Sequence, residues 1–234
     1  MIQNRKQRRT LERKAQKCIR NENCGAVREL MNQGQGQHLL DITIKAIEQF
    51  GMPPNTSSLA AHHEAGHLVC ALSMGGVFAK TYIRPDTQGN WGGFSSVHVA
   101  GIHSNEPGQT VDVTQEPARA WLLSLIRASG VAAEMLCRQY HPASSTDEML
   151  LVGGVVVTLA HQAGVDPKQV MNVLLGTSMR LIEHNRQAFD ELARRLKAAK
   201  VLTSEDIADV RVLQIDRAVL MPTGFTLAKG VRDE

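Results

Sequence analysis

His63 and His67 flank Glu64 in the run Ala61-His62-His63-Glu64-Ala65-Gly66-His67, an instance of the His-Glu-x-x-His pattern. Residues four apart lie one above the other on a helix face, so two imidazoles can converge on one metal ion. Glu64, one step round the helix, can reach a water bound to that metal. Zinc held by three protein ligands keeps one position open and brings the pKa of bound water from about 15.7 to roughly 7. A carboxylate beside it can take the water's proton and hand it to a leaving amine. The plainer alternative is a buried helix whose two histidines are hydrogen-bonded within the core.

The elements around the motif can be read from the sequence. Ser57 and Ser58, after Pro53-Pro54, are N-cap candidates. Leu59, Leu68, Val69 and Leu72 supply an apolar face, and Gly75-Gly76 a stop. Two strands are expected next, Lys80 to Arg84 and Gly93 to Val99, joined by a turn from Pro85 to Asn90. The run Gly75 to Thr81 superficially resembles a phosphate loop. It follows a helix, however, and has Ala79 where a glycine should precede Lys80, so a nucleotide site is rejected. A long helix runs from Glu116-Pro117 to about Tyr140, with Trp121, Leu122, Leu125, Ile126, Ala132, Ala133 and Leu136 as its apolar residues. Ser145 and Glu148 fit a capping box, which starts a helix at Asp147 that continues through about Gln162. Further helical runs cover about Pro167 to Leu175 and Ser178 to Lys200, with a small unit from Thr203 to Val210.

Two histidines do not complete a catalytic zinc site. The acidic candidates for a third ligand are Glu134, inside a helix, and Asp147, at a helix start. His62 is turned about a quarter-turn or more from His63 and falls outside the first coordination sphere. The residues alone leave the choice open.

Composition bounds the rest. The chain has 234 residues, 43% of them hydrophobic, enough for one large domain with an extension. No apolar run reaches the 18 or so residues of a membrane span, and the N-terminus has no apolar core of a signal peptide. Cys18, Cys24, Cys70 and Cys137 lack paired spacing and read as reduced thiols of a cytoplasmic protein. The net charge of +3 is unevenly spread. Residues 1–20 carry eight cations against Glu12 alone, a local +7 that leaves −4 for the remainder. That arm, a charged helix to about Met31 followed by a glycine–glutamine break, could meet nucleic acid, an anionic surface or an acidic partner. With no aromatics among its charges, a solvated helix is the favoured reading. Leu40, Ile44, Ile47 and Phe50 mark a short amphipathic helix over 39–50.

The run His63–His67 resembles the signature of the FtsH-type zinc metallopeptidase domain, the proteolytic half of membrane-bound AAA proteases. The likeness extends over roughly residues 58–210. Ala79 to Pro85 followed by Gly92-Gly93-Phe94 is similar to the family's strands after the motif. Gly130-Val131-Ala132-Ala133-Glu134 resembles its glycine–alanine–glutamate helix, and Ser144-Ser145-Thr146-Asp147 the stretch that supplies its aspartate ligand. Leu181 to Arg186 and Leu202 to Ile207 resemble its closing segments.

The resemblance implies Zn2+ at His63, His67 and Asp147, with Glu64 as general base. It places Glu134 behind a ligand, as an orienting group or fallback third ligand. The implied architecture is mainly α-helical (α+β), zincin-like, with a small β-hairpin after the motif helix. The implied domains are a basic extension over 1–56, a peptidase domain over 57–210 and a tail over 211–234. Walker motifs and membrane spans are absent, so ATP-driven unfolding and anchoring are not carried over. Met149 to Val155 is apolar where the family usually continues with a polar helix.

The expected function is a zinc endopeptidase acting on unfolded or flexible polypeptides, with a separate unfoldase or adaptor and homo-oligomerisation left open. A peptidase dedicated to one partner and a catalytically silent binding module are the alternatives.

Overall fold

Helix α1 (Ser57–Ser73) carries the motif and is buried almost all round: 13 of its 17 residues are buried. A helix without a polar face belongs at the centre of a fold. Its first turn is capped by Thr56, whose hydroxyl accepts the Leu59 N–H at 3.2 Å, one residue before the serines expected in that role. Such a cap contributes about 1 kcal/mol. The helix ends as expected: Met74 is the C-cap and Gly75 takes φ +75°, a conformation that suits glycine.

The structure, a computed structural model, describes residues 56–222 except 88, 103–110, 139–140 and 142–144, together with isolated helical positions before residue 50. The side chains of residues 146 and 147 lie outside the described set. The expected N-terminal arm and the helix over 39–50 also lie outside it, save for those isolated positions.

After α1 come β1 (Val77–Pro85), β2 (Trp91–His98), α2 (Pro117–Leu136), α3 (Thr146–Ala163), α4 (Pro167–His184), α5 (Arg186–Ala199) and β3 (Val201–Thr203). Two 3-10 turns follow, Glu205–Ile207 and Arg217–Leu220. The described chain is thus mainly helical, with one three-stranded antiparallel sheet in the order β2-β1-β3. No described helix is long and apolar enough to cross a membrane.

Two boundaries differ from expectation. Helix α4 runs unbroken through Gly176, and the break falls at Asn185. Asn185 takes over the hydrogen bonds that end a helix there: its Nδ2 donates to the Leu181 and Leu213 carbonyls and its Oδ1 accepts the Leu213 N–H. Strand β3, unforeseen as a strand, is three residues long and pairs with β1 at Lys80, Thr81 and Tyr82. So short a strand carries too little period-2 pattern to be read from sequence.

Beyond residue 210, where a tail was expected, the described chain stays on the body. Ile215 N–H donates to Ser73 O, Trp121 Nε1 to Leu220 O, and the Arg217 guanidinium to the carbonyls of Met74 and Ala100. These bonds tie down the C-terminal end of α1.

Helix α1 packs against α2, α4, α5 and both long strands. Its approach to α2 depends on small residues. A Cβ at Gly66 would overlap Ser129 O and come within 2.8 Å of the Ala133 Cβ. The two backbones therefore lie close enough for α2's carbonyls and side chains to reach the motif histidines.

Candidate metal centre

His63 and His67 project from α1 toward α2 with their Nε2 atoms 3.0 Å apart. Each ring is fixed from behind. His63 Nδ1 lies 2.8 Å from Glu134 Oε1, and His67 Nδ1 lies 2.7 Å from the Ile126 carbonyl. A carboxylate and a carbonyl can only accept, so in the neutral rings both Nδ1 atoms carry the proton. Both Nε2 atoms are then bare lone pairs facing the same point. Gly130 leaves room for them, because a Cβ there would collide with His63 Nε2 and come within 2.6 Å of His67 Nε2.

The third converging group is Glu148, in the first turn of α3. Its Oε1 is 3.0 Å from His67 Nε2 and its Oε2 is 3.2 Å from His63 Nε2. Among the described residues, His63, His67 and Glu148 are the group that could hold a metal ion, their ligand atoms all within 4.8 Å of one another. Asp147, the aspartate expected here, lies one residue earlier in the same helical turn, and its side chain is outside the described set. The expected capping box is not formed. Ser145 makes no side-chain cap bond; its hydroxyl donates to Glu134 Oε1 at 3.3 Å, and Glu148 turns to the histidines. Burial of both Ser145 and Glu134 makes that bond the better use of the serine.

Electrostatics argue for a cation at this point. With both rings neutral, two unprotonated nitrogens and a carboxylate meet with no hydrogen between them, and the buried Glu148 Oε2 has no hydrogen-bond donor. Such a cluster needs positive charge, supplied either by protons or by a metal. The titration tendencies agree. Burial is the largest influence on His63 and opposes its charge, yet Glu148 and Glu134 together raise its pKa well above the usual histidine range. His67 follows the same pattern, raised chiefly through Glu148 against burial. Glu148 is desolvated as well, but His67 and His63 hold it far below the usual carboxylate range. The donor set of two imidazoles and a carboxylate, with each imidazole fixed by an acceptor behind it, could hold a metal ion.

Glu134 is wholly buried and sits behind His63, away from the point of convergence. Its Oε2 accepts the His141 N–H at 2.9 Å, so α2 and the segment leading into α3 are joined through the group that orients His63.

Glu64, also buried, points from α1 to the sheet. Its Oε2 accepts the Ser95 hydroxyl at 2.6 Å, and Ser95 Oγ lies 2.8 Å from Thr81 Oγ1. Since Ser95 gives its one proton to Glu64, Thr81 donates to Ser95. Thr81 and Ser95 face each other directly in the β1–β2 register. Burial, the largest cause, raises the Glu64 pKa, while the two histidines and the Ser95 bond pull it down. Strand β2 passes immediately over this carboxylate, where a Cβ at Gly93 would come within 2.5 Å of Glu64 Cγ and Oε1. No described strand pairs with the outer edge of β2, and Gly92, Gly93 and Phe94 are exposed along it.

The structure thus brings His63, His67, Glu64 and Glu134 into one site, adds Glu148, and supports Glu64 through Ser95 and Thr81. Glu148 was hidden by a competing role as a helix-capping acid, and its adjacency to Asp147 was the available clue. The Ser95–Thr81 pair had only its place in adjacent strands to mark it. Neither the models of known protein families nor the curated proteins contain a match to this chain.

Proposed function

We propose that this protein is a zinc-dependent peptidase of the kind its motif resembles, with His63, His67 and Glu148 as the metal ligands. The observation that carries the proposal is the convergence of two bare Nε2 atoms and an undonated carboxylate oxygen beside a buried second carboxylate, Glu64. A zinc ion bound there would polarise a peptide carbonyl and acidify a water, which is the chemistry that hydrolysis of an amide needs.

The residues of the chain supply the remainder. Glu64, its pKa raised by burial, takes a proton from water and returns it to the leaving nitrogen. Ser95 holds Oε2 and leaves Oε1 for that exchange. Glu134 keeps the proton of His63 on Nδ1, so that Nε2 remains a ligand. The unpaired edge of β2 runs over Glu64 and suits an extended polypeptide added as a further strand, its backbone bonded to β2 beside the catalytic carboxylate. Gly92 and Gly93 keep that edge free of side chains. The substrate class is accordingly unfolded or flexible polypeptide, recognised mainly through its backbone.

The test pairs zinc content with cleavage of an unfolded fluorescent casein, comparing wild type with Glu64→Gln. The expected result is near one zinc per chain in both, with turnover reduced by about 100-fold or more in the variant. Absence of zinc from the wild type sinks the reading. Zinc without turnover in wild type favours a peptidase dedicated to one partner.

A further inference from the structure

Helix α2 presents a line of residues to the metal site. Gly130 lies against both Nε2 atoms and Glu134 binds His63. Arg127 belongs to the same line, since seven residues separate it from Glu134 and seven steps of a helix come within about 20° of two full turns. It also precedes Gly130 by three residues, one turn nearer the helix N-terminus. The backbone of α2 thus places Arg127 on the face that Gly130 and Glu134 turn to the site.

Arg127 is half-buried and makes no hydrogen bond or ion pair with a described residue. Its strongest charged influence is Glu148, which acts on it across space without contact. Burial lowers its pKa, so the guanidinium has lost part of its water without gaining a partner among the described residues. Four other arginines differ: Arg119, Arg186, Arg194 and Arg195 each hold a carboxylate within 2.9 Å. Desolvating a cation without a counter-ion is unfavourable, and the Glu148 carboxylate is turned to the point where the histidines converge.

We propose that Arg127 is the oxyanion-binding residue of this site, its guanidinium receiving an anionic oxygen of the polypeptide bound at the metal. The planar fork of an arginine suits a carboxylate or a developing oxyanion. Two sources of that oxygen share this chemistry: the C-terminal carboxylate of a substrate, and the carbonyl oxygen that gains charge as water adds to it. The inference rests on the metal reading of His63, His67 and Glu148, and its test is chosen to separate the two.

Cobalt(II)-substituted protein reports anion binding through its visible absorption and needs no turnover. Wild type, Arg127→Met and Arg127→Lys are loaded with cobalt and titrated with acetate. Wild type is expected to bind acetate, Arg127→Met to bind it about tenfold or more weaker, and Arg127→Lys to fall between, with cobalt content equal in all three. Equal acetate affinity in wild type and Arg127→Met overturns the proposal. If Arg127→Met fails to hold cobalt, Arg127→Lys carries the comparison, and its identity with wild type overturns it equally. Failure of wild type to take up cobalt removes the metal reading and the inference together.

A second arm identifies the oxygen. One peptide is supplied to the zinc-loaded proteins as free acid and as C-terminal amide. A loss in Arg127→Met confined to the free acid assigns the substrate's carboxylate. A fall in kcat for both forms, with KM little changed, assigns the carbonyl oxygen. Unchanged kinetics on both, with unchanged acetate affinity, rejects both assignments.

Discussion

Among the described residues, two ionic clusters of comparable size can be compared. On the surface, Arg195 joins Glu191 at 2.7 Å and Asp209 at 2.6 Å, while Arg194 holds Glu191 from the other side at 2.6 Å. In the interior, His63, His67, Glu148 and Glu134 gather between α1, α2 and α3. The first cluster is matched: guanidinium N–H groups point at carboxylate oxygens, and water surrounds them. The second is mismatched, because two bare Nε2 atoms and the Glu148 carboxylate point at one another, with both histidines buried and Glu148 only partly open to water. A matched cluster is complete as it stands and tends to contribute little. A mismatched buried one is tolerable only if something positive fills it. The difference separates a structural feature from a site.

The sharpest way to break the comparison is to remove a converging donor. His63→Ala and Glu148→Ala are each expected to reduce zinc from near one per chain to under about a tenth after dialysis, since two ligands do not hold a catalytic zinc. Asp147→Ala should retain its zinc if Glu148 is the ligand. Metal analysis of the three variants decides this, and the opposite pattern, with zinc lost on changing Asp147 and kept on changing Glu148, would transfer the third ligand to the residue expected from sequence. Zinc retained in all three would mean that the cluster is no metal site.

A smaller effect is expected one layer back. Glu134→Gln keeps the shape but loses the charge behind His63, and it should weaken zinc by about 10- to 100-fold, measured by competition with a chelator. An unchanged affinity would reduce Glu134 to a packing residue that ties α2 to His141.

How much of this could be read from the sequence depended on whether a residue's role was local. The motif helix, the two strands and the long helix follow from periodicity and from glycine and proline punctuation, and the structure has them in place. His63, Glu64 and His67 follow from four-residue spacing on one helix. Glu148 did not, because its partners are 81 and more positions away in the chain and its local context offered a sufficient alternative, a cap for α3. Ser95 and Thr81 were equally silent, since a hydroxyl in a strand acquires a role only once the register places it against Glu64. Arg127 is similar: its spacing from Glu134 is visible, but its lack of a partner among the described residues is visible only in three dimensions.

Protons and metal compete for the interior cluster, and this gives a signature in pH. The pKa values of His63 and His67 are raised in the folded protein, so without metal their stabilisation is full below their unfolded value, about 6.5, and is lost as pH rises through the folded values. Glu148 is depressed, so its contribution is present above about 4.5 and lost as pH falls. Among the described residues, Glu64, Glu134 and Glu148 are the acids that face the pair. Chelated protein should therefore melt highest between about pH 4.5 and 6.5 and lose several degrees on going to pH 9. Zinc-loaded protein should gain stability over the same interval, because the metal needs the deprotonated donors. Parallel pH profiles for the two forms would show that the histidines do not titrate against the metal.

The surface cluster should show the smallest effect, and that smallness is informative. Arg195→Ala removes the central guanidinium and with it the bonds to Glu191, Asp209 and the Asp206 carbonyl. Glu191 is drawn down to about 2 by hydrogen bonds from Arg194 and then Arg195, and it keeps Arg194 after the change. Every group left behind is open to water, so no desolvated charge is stranded. The melting temperature should fall by less than about 3 °C, and the difference should shrink further in 1 M salt, where the Debye length is about 3 Å. Zinc content and turnover should be untouched. A loss comparable to that of Glu134→Gln would mean that exposure does not set the two clusters apart, and the case for reading the buried one as a site would then rest on its geometry alone.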